Sequence, residues 1–484
     1  MKLINIFLLG TLPFALALTS CDDFLDVHPK AEKVENDLFK NAQGFEDAIY
    51  GVYGSLQNAS LYGRDLQWGF NEVLAQNLEC NSTVMSDLCE YKYDDNNYVR
   101  SYISSIWTVA YQTIGYANNI LEQLNSQSEE SLPLYNYYKG EMLGVRALLH
   151  FDLLRLFASM DMDATGIPYV TTYSYTVKPF RKVGEVYSLI IQDLLEAEKL
   201  LAFEENEIEY PHVNTHYDTF ANYRETHFNL YAVRALLARV YWMKGDMTEA
   251  AKYAESVIDS QKFPLVKENE VRDYLAGVLS PKETIFGLYS STAVDLATEF
   301  LYEHQSFKTY SPYADASGTK HLLPYDAVYD LDVPANSQDF RKNHFTSSLS
   351  LVRFVKLVDY YKAQDQSRDY EGLIEGVTLM HSSEMYLIAA EALLETNYDK
   401  ALTYFDEEIA SRGLTPLSVR GVKLTKDIIY NEYHKELFGE GQIWFNMKRL
   451  NKDIVSNAES RTIPASDGIY VIPIPEEEYE YRTE

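Results

Sequence analysis

The sequence predicts a mainly α protein, with tetratricopeptide-like helix pairs forming a scaffold and a long irregular, loop-rich insert carrying short strands. Three observations predict it. Apolar residues recur at helical spacing in six segments. Two of those segments have the small-and-aromatic spacing of a helix hairpin. Between these two lie residues 263–380, which carry five prolines, scattered Gly and many Tyr, with only short apolar runs.

Taken in order, Phe45, Ile49, Val52, Tyr53 and Leu56 mark the first helix, and Ile103, Trp107, Ala110, Ile114, Ala117, Leu121 and Leu124 the second. A third runs from Lys139 to Ala158 and a fourth from Val186 to Leu201. Antiparallel pairing is the economical way to bury such stripes. The clearest pair spans 229–259, where Ala238, Tyr241, Ala250 and Ala254 flank a Gly245-Asp246 turn. A second hairpin over 383–411 repeats the idea, with Asn397 in place of the turn glycine. The two stand about 150 residues apart rather than in tandem at about 34, so the sequence does not read as a simple solenoid. In the insert, Glu283 to Leu288 and Leu351 to Val358 read as short strands or helices.

Composition narrows the function. The chain has 484 residues, 46% hydrophobic and 24% charged, which is a folded globular protein with a large core. Asp and Glu number 72 against 42 Lys and Arg, and a net charge of −30 opposes any partner held through phosphates, so nucleic acid is excluded. Tyr numbers 40 against 4 Trp, a bias toward rings that can face water as well as core.

The N-terminus reads as an address. The apolar stretch Leu3 to Leu18 is shorter than the roughly 20 residues of a membrane-spanning helix and suits a signal peptide, residues 1–20. Leu18-Thr19-Ser20-Cys21 then forms a lipoprotein cleavage box, with Cys21 as the lipid attachment site. Cys80 and Cys89 follow in an exported chain, and the polar residues between them favour a disulfide over two buried thiols.

Enzyme signatures are missing from the sequence. There is no Gly-x-Ser-x-Gly elbow, no phosphate loop, no His-Glu-x-x-His and no EF-hand ladder. No cofactor and no metal site is predicted, although a calcium ion held by loop carbonyls would leave no mark in a sequence. The stronger constellation is aromatic-polar interleaving. Residues 62–98 carry Arg64, Asp65, Trp68, Asn71, Tyr91, Tyr93 and Asn96, and residues 289–325 carry Tyr289, Tyr310 and Tyr313. Sugars need this mixture, because the C–H face of a pyranose stacks on a ring while amides, carboxylates and guanidinium bond its hydroxyls. The alternative is that these tyrosines pack irregular loops onto helices.

Several segments together resemble the SusD/RagB family of surface lipoproteins from Bacteroidetes. They are Cys21-Asp22-Asp23-Phe24-Leu25; Trp107 with Ala117-Asn118-Asn119; Arg146-Ala147 with His150 to Arg155; Ser383 to Ala392; Glu436-Leu437-Phe438-Gly439-Glu440-Gly441 through Arg449; and Ile472-Pro473-Ile474-Pro475. Their order and spacing span almost the whole chain. The resemblance divides the chain into a signal peptide (1–20), a SusD-like N-terminal region (21–215) and a SusD/RagB C-terminal region (216–484). It implies a non-catalytic lipoprotein of the outer membrane, facing the cell surface, that captures oligosaccharide for a SusC-like TonB-dependent barrel. The shared motifs read as scaffold, with Arg146, Arg155, Glu391 and Arg449 in buried ion pairs. The acidic field disfavours anionic glycans, so a neutral one is expected. A peptide-capturing RagB-like relative, a glycan hydrolase and a plain helical scaffold stay as alternatives.

Overall fold

In the computed structural model each apolar stripe becomes a helix, and several of them start at a polar cap. The structure describes residues 38–80, 87–94, 97–212, 214, 216–267, 270, 278–303, 307–308, 313–314, 320–321, 339–348, 351–358, 374–456, 461–480 and 482. The longer helices among the described residues are α1 Ala42–Leu56, α2 Asn97–Leu124, α3 Tyr135–Phe157, α4 Val183–Leu200, α5 Leu230–Lys244, α6 Met247–Ile258, α7 Ser382–Leu393, α8 Tyr398–Ser411, α9 Lys426–Glu436 and α10 Ile443–Arg449. Asn41 caps α1 by accepting the Gly44 N–H, and Asn229 caps α5 by accepting those of Tyr231 and Ala232. Gly245, at φ +89°, ends α5 in the left-handed region and Asp246 caps α6, so two residues make the hairpin turn. Asn397 works differently from the expected glycine substitute. Its φ is −149°, and its side chain caps α8 by accepting the Lys400 N–H.

Each helix from α2 to α8 packs on the next, including α6 on α7 across the insert. The two hairpins are therefore neighbours in space although about 150 residues separate them, and the helical array is continuous where the sequence reads as broken. One hydrophobic core runs through the regions on both sides of residue 215, from Phe45 and Leu148 to Leu237, Ile388 and Trp444.

The insert leaves and re-enters through a two-stranded antiparallel ribbon. Its strands are Thr284–Tyr289 and Gly376–His381, with Tyr289 opposite Gly376 and Thr284 opposite His381. A short hairpin, Phe345–Ser348 with Leu351–Phe354, realises part of the strand expectation. The motif from Glu436 to Arg449 starts at the last residue of α9, turns, and ends with α10. Gly439 and Gly441, at φ +80° and +72°, turn the chain between α9 and α10, and a Cβ on Gly441 would lie 1.9 Å from the Leu66 carbonyl oxygen.

The scaffold arginines pair as the motifs imply. Arg146 meets Asp193 at 2.7 Å, Arg155 meets Asp152, and Arg449 meets Glu391 at 2.8 Å. A larger buried network ties the insert down. Arg412 donates to Glu283 at 2.9 Å and to Glu436 at 2.6 Å, and Arg341 donates to Asp339 at 2.7 Å and to Glu436 at 3.0 Å. Lys356 pairs with Glu440, which also meets His381 at 3.0 Å. Glu283, His381 and Glu436 are the one group of three ligand-type side chains among the described residues that could converge on an ion. The Arg412 guanidinium bonds both glutamates, so this cluster is neutralised by a cation of the chain itself.

Burial pushes carboxylates up, but His381 and Lys356 outweigh it and hold Glu440 at about 2, while Arg412 and Arg341 hold Glu436 well below its usual range. Burial alone dominates at Glu72 and Glu204, which rise to about 7. His381 is raised, since Glu440 and Glu436 outweigh its burial.

Two outcomes follow for stability. Arg412→Met leaves the buried Glu283 without its cation and Glu436 with Arg341 in place of two arginines, and should lower unfolding free energy by about 3–5 kcal/mol in a urea titration; a loss under about 1 kcal/mol would contradict the network's role. For pH, the depressed Glu436 and Glu440 contribute stability above the ordinary carboxylate pKa of 4.5 that is lost as pH falls toward 2. The raised Glu72, Glu204 and His381 contribute in the opposite sense, with stability lost as pH rises through 7 and through the folded pKa of His381. Burial holds His150, His344 and His434 below the usual imidazole range, and these gain stability as pH rises toward 6.5, offsetting the raised groups. The signature left to Glu436 and Glu440 is a melting midpoint that falls as pH drops from 4.5 toward 2, and a midpoint unchanged over that interval would refute the assignment.

Candidate functional site

Five of the ten predicted ligand residues are built into the core. Asp65 is buried beneath Arg64, whose Nε donates to it at 2.7 Å, and Asn71 donates to the carbonyls of Leu66 and Gly441 at 3.2 and 3.1 Å. Trp68 is buried against Phe300, with ring centres 6.2 Å apart. Tyr91 stacks on Trp444 and donates to Leu74 O at 2.8 Å, and Tyr93 donates to Ile469 O at 2.6 Å. These five are corrected to packing residues, because each polar atom that sequence reasoning aimed at a sugar is spent on the protein or sealed from water. Arg64 is mostly covered as well, lying over the rings of Tyr102 and Phe300.

Cys21, Asn96, Tyr310 and the side chain of Tyr313 lie outside the described residues. So does the side chain of Cys80, whose backbone pairs with Phe307, and the proposed bridge to Cys89 therefore stays an expectation.

Tyr289 is the predicted residue that the structure places at a cleft. It is 57% exposed at the end of its strand, where the insert departs. The cleft has a volume of about 820 Å³. One wall is a single face of α1, where Tyr50, Tyr53, Gly54 and Gln57 fall at helical spacing. The other is the turn segment around Thr219, Asn222, Tyr223, Thr226 and His227, and Ile374 closes the edge where the insert returns. Nothing lies within 4 Å of where a Gly54 Cβ would stand, so the cleft reaches the helix backbone.

The rim is fixed by hydrogen bonds. Gln57 donates to the Tyr289 carbonyl at 2.7 Å, tying helix to ribbon. Asn222 both accepts from the backbone N–H of His216 at 3.0 Å and donates to its carbonyl at 3.2 Å. Tyr223 donates its N–H to Asn214 at 2.7 Å and has φ +52° and ψ +46°, a left-handed conformation unusual for a bulky residue. Half of its side chain stays in solvent, as does much of Tyr50.

Beneath the floor lies a closed polar network. Glu141 accepts from Tyr53 at 2.6 Å and from Arg224 at 2.7 Å, and it meets His227 at 3.0 Å. Burial pushes Glu141 up, but His227 and Arg224 outweigh it and hold the carboxyl below its usual range. Glu141 is thus an ionised anchor for the cleft wall. The described lining of the cleft offers rings, amides and hydroxyls, with neither a carboxylate nor a Lys or Arg among them.

Sequence reasoning passed over Tyr50 and Tyr223. A signal existed for the first, since Tyr50 sits off the apolar stripe of α1, where a polar residue would be ordinary. None existed for Tyr223, whose backbone conformation is set by its neighbours.

Comparison with known proteins agrees with this architecture. A family profile described as "Starch-binding associating with outer membrane" matches residues 23–242, and one described as "SusD family" matches residues 301–480. SusD-like protein P2 of Formosa agariphila is 24% identical over 90% of this chain and 88% of its own length. Among solved structures, a SusD superfamily protein from Bacteroides thetaiotaomicron superposes with a TM-score of 0.71 at 23% identity, covering 91% of this chain and 98% of that one. A protein from Bacteroides vulgatus described as a SusD-like carbohydrate binding protein gives a TM-score of 0.67 at 21% identity, covering 90% and 96%. Two profiles that divide the chain between them, and a relative aligned along nearly all of it, make the same assignment as the motifs: the chain belongs to the SusD/RagB family.

Proposed function

We propose that the protein is a lipid-anchored component of the outer membrane that captures a neutral oligosaccharide in the cleft and passes it, uncleaved, to a SusC-like TonB-dependent barrel. The observation that carries this reading is the presentation of three solvent-facing rings, Tyr50, Tyr223 and Tyr289, around amides from Gln57, Asn214 and Asn222. Rings take the apolar faces of sugars and amides take their hydroxyls. Hydrolysis needs two carboxyl groups about 5–10 Å apart beside the substrate, whereas no carboxylate is among the described lining residues and Glu141, behind Tyr53, is buried and engaged by three partners. The described lining carries no Lys or Arg, and its one histidine, His227, is engaged by Glu141, so nothing there favours an anionic glycan. The family description and the carbohydrate-binding relative in Bacteroides vulgatus support the same reading. The lipid on Cys21, which the cleavage box marks, is the anchor in this reading; among the described residues no helix is long and apolar enough to cross a membrane.

Calorimetric titration of the full chain in mild detergent against neutral and acidic polysaccharides and mixed peptides tests the reading. Saturable binding of a neutral glycan without new reducing ends is expected; new ends would mean a hydrolase, and binding of peptides alone a RagB-like importer. Tyr223→Gly separates a ligand ring from a packing ring. Relief of the left-handed strain is worth about 1 kcal/mol, so the variant should melt no lower than the parent while its glycan affinity falls about tenfold or more. A lower melting point with unchanged affinity would make the ring structural. Cys21→Ala should move the protein from the membrane to the soluble fraction in cells lacking the barrel partner, and retention there would refute the lipid anchor.

A further inference from the structure

A second cluster of rings stands on α2 and on the loop 171–178, outside the cleft just described. The loop is pinned at both ends. Asn118 donates to Val170 O at 3.0 Å, Glu122 accepts the Tyr173 N–H at 2.8 Å, and Arg482 donates to Lys178 O at 2.6 Å. Restraint of this kind ordinarily serves to bury apolar groups, yet here Tyr173 is 46% exposed and Tyr175 fully exposed. Tyr116, on the adjoining face of α2, is 41% exposed and accepts the Gln112 amide at 2.6 Å. Gly115 leaves the helix surface bare beneath Tyr173, whose ring lies 3.9 Å from where a Cβ would be. The three rings border a groove of about 580 Å³.

Single exposed aromatics are ordinary, but three around one groove on an anchored loop mark a binding surface. The chemistry of the loop says for what. Thr172, Ser174 and Thr176 alternate with Tyr173, Tyr175 and Val177, so hydroxyls and apolar faces are interleaved along the groove. That pattern suits the alternating hydroxyl and C–H surfaces of a sugar chain. The fixed backbone reduces the ordering cost of binding.

We propose that Tyr116, Tyr173 and Tyr175 form a second carbohydrate platform, which takes a further stretch of neutral polysaccharide. This rests on the glycan-capture reading above and adds a consequence to it. Two weak sites engaged by one long chain retain polymer far better than short oligosaccharides, because the second contact is intramolecular.

The test uses the full chain in detergent and affinity electrophoresis through gels containing soluble starch, xylan, galactan or mannan, with calorimetry on short oligosaccharides of whichever polymer retards it. The triple variant Tyr116→Ala/Tyr173→Ala/Tyr175→Ala should keep the parental melting point and its oligosaccharide affinity in the cleft. It should lose at least fivefold in retardation by the polymer, and Tyr175→Phe, which keeps the stacking face, should restore most of the contribution of that ring. Parental retardation of the triple variant, with retardation abolished by Tyr223→Gly, overturns the platform and leaves the capture reading intact. No retardation of the parent protein by any of the four polymers overturns both.

Discussion

Arg412 lies between Glu283 and Glu436, and the arrangement of the two halves of the molecule turns on that pairing. Glu283 immediately precedes the strand that leads into the insert, Asp339, Arg341 and Lys356 belong to the insert itself, and Glu436 and Glu440 come from the end of α9 and the turn after it. Ions in a low-dielectric interior are stable only when every partner is present, so the network holds these segments in one relative placement. An apolar substitute of the same volume could hold them as tightly, but it would accept sliding that charge pairing forbids. Burial together with Glu432 and Glu436 raises Glu408 far above the usual carboxylate range, which reduces the negative charge the arginines must balance.

That fixed placement creates the cleft. The insert leaves at Tyr289 and returns at Gly376, paired across the ribbon, and the cleft opens beside these ends against α1. The scaffold is rigid there, with Gln57 bonded to the Tyr289 carbonyl and the Glu141 network under the floor. A site built between a stiff helical array and the roots of a loop-rich insert can change its ligand through loop sequence without disturbing the core. At the cleft, folding preference yields at Tyr223, since its left-handed backbone is disfavoured locally and is held by Asn214.

The helical scaffold was legible in the sequence because burial imposes a period. Phe45, Ile49, Val52 and Leu56 recur on one face of α1 since only that face meets the core, and Gly245-Asp246 announces its turn through left-handed φ and a side-chain cap. The arginines of the shared motifs were rightly read as structural. The candidate site was far less legible. Tyr91 and Tyr93 sit among Asp, Asn and Lys and look like a sugar platform in one dimension, but their hydroxyls reach Leu74 and Ile469 carbonyls that only folding brings near.

The sequence alone thus determined what local periodicity and capping chemistry encode: helix positions, hairpin turns and the membership of the chain in its family. Tertiary structure decided which rings face water, because a tyrosine carries the same apolar body and polar tip whether it fills a core or awaits a ligand. It also decided that two hairpins about 150 residues apart are neighbours, since the contact between α6 and α7 depends on the ribbon and ion network that close the insert. Neither fact has a local signature, for each is set by atoms that are distant along the chain and adjacent only after it folds.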